Sequence, residues 1–255
     1  MGPLPPYLAA VNNSSQKKPG GSLRIAHLIA SRGVSSRREA ERMIVNGRVR
    51  LNGKIHIDPA INVDPAVDEV LVDNQPLPEA KGHLYIALHK PTGFLSTFSK
   101  SKEKGETLEK LLPHERRLFT AGRLDRDSTG LLLLTTDGDW ANHVMHPRHE
   151  KQKEYLVRFK GERSTPAAKK ISGATFHEDG RDFGMVSAVP EGSYVRIVLK
   201  EGRNRHIRRV AESVGLVVRE LIRVRIGPVH LGNLKPGHWR KLSSQEIRQL
   251  GTVEQ

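Results

Sequence analysis

The 255-residue sequence contains no cysteine. Disulfide staples, thiolate-ligated metals and thiol redox chemistry are therefore excluded, and the composition fits a reducing compartment. Long apolar runs are missing as well: none approaches the roughly 20 residues that a membrane span requires. The opening MGPLPPYLAAVNNSS has no basic segment followed by an apolar one. These absences predict a cytoplasmic protein with no membrane partner. No repeat of fixed period is present, and the only low-complexity stretch is the Pro-, Gly-, Ser- and Lys-containing segment 1–21, which predicts a disordered tail.

What the sequence does have is positive charge. Its 42 Lys and Arg against 28 Asp and Glu give a formal charge of +14, an imbalance that predicts attraction to a polyanion. With 36% hydrophobic residues the chain is long enough for two domains with their own cores.

From Leu23, the apolar residues Ile25, Leu28 and Ile29 recur at helical spacing until Gly33. A second helix follows, opened by Ser36 and Glu39 in an S-x-x-E capping box, with Ala40, Met43 and Ile44 as its buried stripe. Asn52-Gly53 then predicts a hairpin turn, across which Val49, Leu51, Ile55 and Ile57 are expected to share one face. Arg48, Arg50, Lys54 and His56 are expected on the other. Cations directed outward from two helices and a hairpin suit contact with a phosphate backbone rather than reading of bases.

The run SRREAERMIVNGRVRLNGK resembles an S4 RNA-binding module, a small αL-type domain, and the resemblance covers residues 22–70. It implies an RNA partner, with Arg37, Arg38, Arg42, Arg48 and Lys54 on phosphates. Pro65, Pro76 and Pro78 mark a junction, whose linker is expected over 71–82. A larger domain is expected over 83–250. Strand-like runs at 84–88, 131–135, 155–159 and 194–199, with helices between some of them, give that domain a mixed α+β character.

The most informative stretch is AGRLDRDSTGLLLLTTDG, residues 121–138. An acid, Asp125, lies on a turn against an apolar strand with Arg123 beside it, an arrangement that orients a carboxylate and keeps it ionised. Asp125, Asp127, Thr129 and Gly130 imitate the start of a calcium loop, but its twelfth position is Thr136 where a bidentate Glu is required. His143, His146 and His149 recur at three-residue spacing, yet Pro147 interrupts a helix there and no carboxylate completes a zinc pattern. No metal site is expected.

The same stretch resembles the G-R-L-D-x-x-[ST]-x-G-L-[LIV] signature of the pseudouridine synthases, and LLLLTTDG their RsuA/RluB branch. YIALHKPTGF at 85–94 and EGRNRHIRRV at 201–210 resemble two further motifs of that branch, so the likeness spans roughly residues 22–245. It implies an S4 domain followed by an α+β catalytic domain with an antiparallel sheet. The implied reaction is isomerisation of uridine in ribosomal RNA, without cofactor or metal, by a monomer. Asp125 is the implied catalytic carboxylate, and Tyr155 the ring that stacks on the base.

Arg123 and Arg208 are assigned to the same pocket. Arg208 is expected to pair with Asp125, from the edge of a helix over 204–214 that turns Arg205 and Arg209 outward. Lys90, Lys153, Arg203, Arg205 and Arg209 are expected to contact RNA. Seven arginines against three glutamates between 201 and 225 make this domain basic in its own right. Ribosomal RNA or an assembling ribosomal subunit is the expected partner, with large-subunit RNA as the expected target and small-subunit RNA as the alternative. A ribosome-assembly factor without catalysis is the rival function, and the intact R-L-D triplet speaks against it.

Overall fold

Ser36 caps its helix as its spacing predicts, the side-chain oxygen accepting the backbone N–H of Glu39 at 3.0 Å. This is seen in a computed structural model that describes residues 21–99, 102–112, 117–185 and 187–251. The expected tail lies outside the described residues, save for Gly21. The chain divides between Ala80 and Lys81 into two units.

The first unit runs β1 (Leu23–Arg24), α1 (Ile25–Ser31), α2 (Arg37–Val45), β2 (Val49–Leu51), β3 (Lys54–His56), β4 (Asn62–Val63), β5 (Val70–Val72) and β6 (Gln75–Pro76). Ile25, Ile29, Ala40, Ile44 and Val49 are fully buried at its centre. The hairpin forms, with Asn52 at φ 50° and Gly53 at φ 78°, the left-handed pair that a two-residue turn requires. Its faces differ from expectation. A two-residue turn sets Leu51 opposite Lys54 and Val49 opposite His56, so Ile55 faces outward with Arg50. Ile55 and Ile57 are 54% and 66% exposed, while Val49 and Leu51 are buried. The segment read as linker from residue 71 also carries structure, because β5 pairs with β2 and β6 with β5.

The second unit runs β7 (Tyr85–Lys90), β8 (Phe119–Ala121), β9 (Thr129–Thr135), α3 (Gly138–Met145), β10 (Lys153–Phe159), α4 (Ser164–Ile171), β11 (Phe176–Glu178), β12 (Arg181–Phe183), β13 (Ser187–Glu191), β14 (Tyr194–Leu199), α5 (His206–Ser213), β15 (Val218–Ile226), β16 (Val229–His230), β17 (Trp239–Lys241) and α6 (Ser244–Gly251). A nine-stranded sheet in the order β13-β14-β10-β15-β9-β7-β17, with β16 beside β15 and β8 beside β9, forms its frame. Leu131 to Leu134 on β9 are fully buried and alternate between two cores. Leu132 and Leu134 join α4 and α5 on one face, Leu131 and Leu133 join Trp140 of α3 and Leu250 of α6 on the other.

Neighbouring strands on the sheet's main path are antiparallel apart from β9 with β15, which run parallel over Thr129–Gly130 and Ile222–Arg223. This short pairing requires a glycine. Gly130 has φ 111°, and a Cβ there would lie 2.5 Å from the backbone nitrogen of Arg223 and closer still to its oxygen. Main chains thus meet at the spot where the turn bearing Asp125 enters β9.

Candidate active site

Residues 122–128 join β8 to β9, and bonds from three directions hold them. Ser96 donates its hydroxyl to the Leu124 carbonyl at 2.7 Å and accepts the Leu124 N–H at 2.9 Å. Gly93 donates its N–H to the Arg126 carbonyl at 2.8 Å. From the opposite side, Arg223 donates Nε to the Leu131 carbonyl at 2.7 Å and Nη1 to the Arg123 carbonyl at 3.2 Å. A carboxylate carried on a backbone fixed this way needs little reorganisation to act.

Lys90 belongs to the same brace, and its expected contact with RNA is corrected. It ends β7 on an inward position, is fully buried, and donates Nζ to the carbonyls of Pro91 at 3.0 Å and Phe94 at 2.8 Å. Burial pushes its ammonium down to about 8, with Asp125 and Asp127 pulling the other way. The K-P-T-G segment therefore folds around a lysine that no phosphate reaches, and that turn in turn carries Gly93 to Arg126.

A cavity of about 660 Å³ opens beside this turn, walled by Asp125, Arg123, Tyr155, Arg205, Arg208 and Arg223 among others. The Asp125 side chain is 30% exposed, and Arg205 approaches it at 3.9 Å. The expected partner, Arg208, instead pairs with Asp127 at 3.5 Å and donates to its carbonyl at 3.1 Å. The reason is local: α5 starts at His206, so Arg205 lies before the helix with φ 50° rather than on its outer face, and swings toward the acids. Asp127 draws Arg205 as well, at 3.5 Å.

Tyr155 is buried on β10, on the cavity side of the sheet. Lys153, two residues earlier, also lines the cavity and donates Nζ to the Lys151 carbonyl at 3.1 Å. Arg203 and Arg209 are less free than expected for phosphate contacts. Their guanidinium groups lie 4.3 Å from the Phe183 ring and 3.9 Å from the Phe176 ring, and Arg209 pairs with Glu178. The hairpin of β11 and β12 is thus packed on α5, and it fixes both cations by stacking.

In the first unit Arg37, Arg38, Arg42, Arg48 and Lys54 are exposed. Arg48 is bound by Asp73 through two bonds of 2.8 and 2.5 Å, which hold the Asp73 carboxyl below its usual range. Sequence reasoning missed Arg223 as a site residue. The signal was present: β15 reads VRELIRVRI, and an arginine two residues after the buried Leu221 falls on an inward position.

The profile described as RNA pseudouridylate synthase matches residues 84–213, and that of the S4 domain matches residues 23–68. An uncharacterized RNA pseudouridine synthase of Mycobacterium leprae is 38% identical over 250 residues, covering 95% of this chain and 98% of the relative. The ribosomal large subunit pseudouridine synthase B of Bacillus subtilis is 32% identical over 233 residues, covering 89% and 95%. A crystal structure of a pseudouridylate synthase superposes with a TM-score of 0.60 at 28% identity, covering 90% of this chain and all of the other. With an S4 domain ahead of a synthase domain and such likeness along nearly its whole length, this chain belongs to the RNA pseudouridylate synthase family.

Proposed function

We propose that the protein isomerises uridine to pseudouridine in large-subunit ribosomal RNA, with Asp125 as the carboxylate that reacts at the target nucleotide. The observation that carries this reading is Asp125 itself, partly shielded in the wall of a cavity of about 660 Å³ that Tyr155 also lines. Sites that bind small ligands commonly fall between about 300 and 1,000 Å³, so a single extruded nucleotide is a suitable occupant.

Chemistry on a base inside a helix requires that the nucleotide be flipped out, and a freed base must be held yet allowed to turn. Tyr155 offers a ring surface for that purpose. Arg205, with Arg208 one helical turn further on, keeps positive charge beside Asp125 and Asp127. Arg123 stands along the same cavity for the neighbouring backbone. The exposed cations of the S4 unit add affinity without reading sequence. The target assignment draws on the name of the Bacillus relative. Among the described residues no helix is long and apolar enough to cross a membrane, and we read the protein as a cytoplasmic monomer.

RNA tritiated at uracil C5 tests the reaction, since isomerisation releases that label. Wild type in EDTA is expected to release it, and Asp125→Ala to do so at least about 10³-fold more slowly. Binding without release by either would support an assembly factor instead. Release from small-subunit RNA alone would overturn only the choice of target.

A further inference from the structure

One face of the sheet forms the wall of the cavity behind Tyr155. Lys153 and Tyr155 lie two residues apart on β10, Tyr155 stands opposite Arg223 of β15, and all three line the cavity with Asp125. Arg223 is 3% exposed and engages two backbone carbonyls of the turn and strand, which leaves its Nη2 buried with no hydrogen-bond partner. Lys153 has the Lys151 carbonyl as partner. Neither cation has a carboxylate at ion-pair distance among the described residues. Cations withdrawn from water without counter-ions are unfavourable unless an anion comes to meet them. The rim of the cavity already supplies an exposed cation for phosphates in Arg123. On the synthase reading, what the tyrosine face receives is the base.

We propose that Lys153 and Arg223 take up the negative charge that the uracil ring acquires when its bond to ribose opens. This rests on the synthase reading above. The electron pair of the N1–C1′ bond leaves with the base, giving an anion shared among N1, O2 and O4, while the Asp125 carboxylate answers the positive charge left at C1′. After the base turns, an electron pair of its C5–C6 double bond forms the C5–C1′ bond. C5 then yields its proton to water and N1 takes one from water, so nothing else is consumed. Fixed cations aimed at charge that develops only during reaction accelerate that step without tightening ground-state binding.

The charged groups around Lys153 are Arg223 from β15, Lys200 and Glu201 at the exit of β14, Lys151 ahead of its own strand and Asp125 across the cavity. Burial and then Arg223 push the Lys153 ammonium down to about 8, with Glu201 opposing.

The test is single-turnover release of C5 tritium, together with RNA binding, by wild type, K153M, K153R and D125N between about pH 6.5 and about 9.5. K153M is expected to bind RNA within about 3-fold of wild type yet react about 10²-fold or more slowly, the loss typical of one electrostatic stabiliser. The wild-type rate is expected to fall as pH rises through about 8. K153R is expected to recover part of the rate and to hold it to higher pH, because a guanidinium keeps its proton there.

Unimpaired release by K153M, or a loss confined to binding, would overturn the inference. So would an alkaline limb that K153R leaves in place, since Lys90 would then be its source. Should K153M fail to fold, the K153R profile decides. No release by wild type, or equal release by D125N, would overturn the synthase reading and this inference together, whereas a fast K153M overturns the inference alone.

Discussion

The cations of the two units do different physical work. In the first unit Arg38, Arg42 and Lys54 stand in water, and Arg42 finds a surface acid, Glu39, at 3.2 Å. In the second, Lys90 and Arg223 are 0% and 3% exposed and donate to backbone carbonyls, Arg223 through Nε and Nη1. A charge in water acts over a Debye length of about 8 Å and is screened by salt. A charge out of water must be satisfied bond by bond. The net charge of +14 is therefore not one quantity: part of it draws RNA, and part of it shapes the turn that carries Asp125.

The largest effect should come from the buried side of this contrast. Gly130→Ala puts a methyl group against the Arg223 backbone, and the sheet must part to admit it. A loss of about 3 kcal/mol or more is expected in denaturant unfolding, together with loss of turnover. A variant as stable as wild type would show that the close approach of β9 and β15 does not hold the turn.

Lys90→Met should come next, at about 1–3 kcal/mol, because two carbonyls lose their donor. It also has a signature in pH. The Lys90 ammonium titrates at about 8 when folded against 10.5 when unfolded, so between these values the unfolded chain binds more protons and stability rises with pH. Wild-type stability at about pH 7.5 and about pH 10 should differ in that direction, and Lys90→Met should lack its share of the rise. Equal slopes in the two proteins would remove Lys90 from the brace.

On the exposed side, Arg38→Ala with Arg42→Ala should change stability by less than about 0.5 kcal/mol. RNA affinity should fall several-fold, and the slope of log affinity against log salt should shrink by about 1 for each phosphate that is no longer neutralised. An unchanged slope would mean that these arginines do not touch RNA. The smallest effect belongs to Ile55→Thr, within about 0.5 kcal/mol, since Ile55 is 54% exposed. Leu51→Ala, on the buried face of the same hairpin, should cost about 2–5 kcal/mol.

Much of this was legible in the sequence because local chemistry decided it. The Ser36 cap, the Asn52-Gly53 turn and the four apolar runs read as strands each depend on a few neighbouring residues. What failed depended on partners distant in the chain or on parity. Alternation gives the facing of residues within one strand, but the length of the turn sets the phase of the next, and a two-residue turn moved Ile55 off the core face. Lys90 looks like any basic residue of a loop motif until β9 is laid beside β7. Arg205 rather than Arg208 came to Asp125 because the helix begins two residues later than its pattern suggests. Asp125 and Tyr155 came from a motif, and the cavity between them came from four strands that no single window of sequence displays.

The clamp that Arg223 places on the turn has a consequence for the order of events during synthesis. It joins residues 92 and 100 positions apart, Leu131 and Arg123 being its partners. Closing so long a loop is slow compared with forming a helix or hairpin. On a translating ribosome the acid-bearing turn emerges well before its clamp does, so on the reading proposed above a nascent chain would not modify RNA until β15 had left the exit tunnel and docked. Competence would then arrive late and in one step.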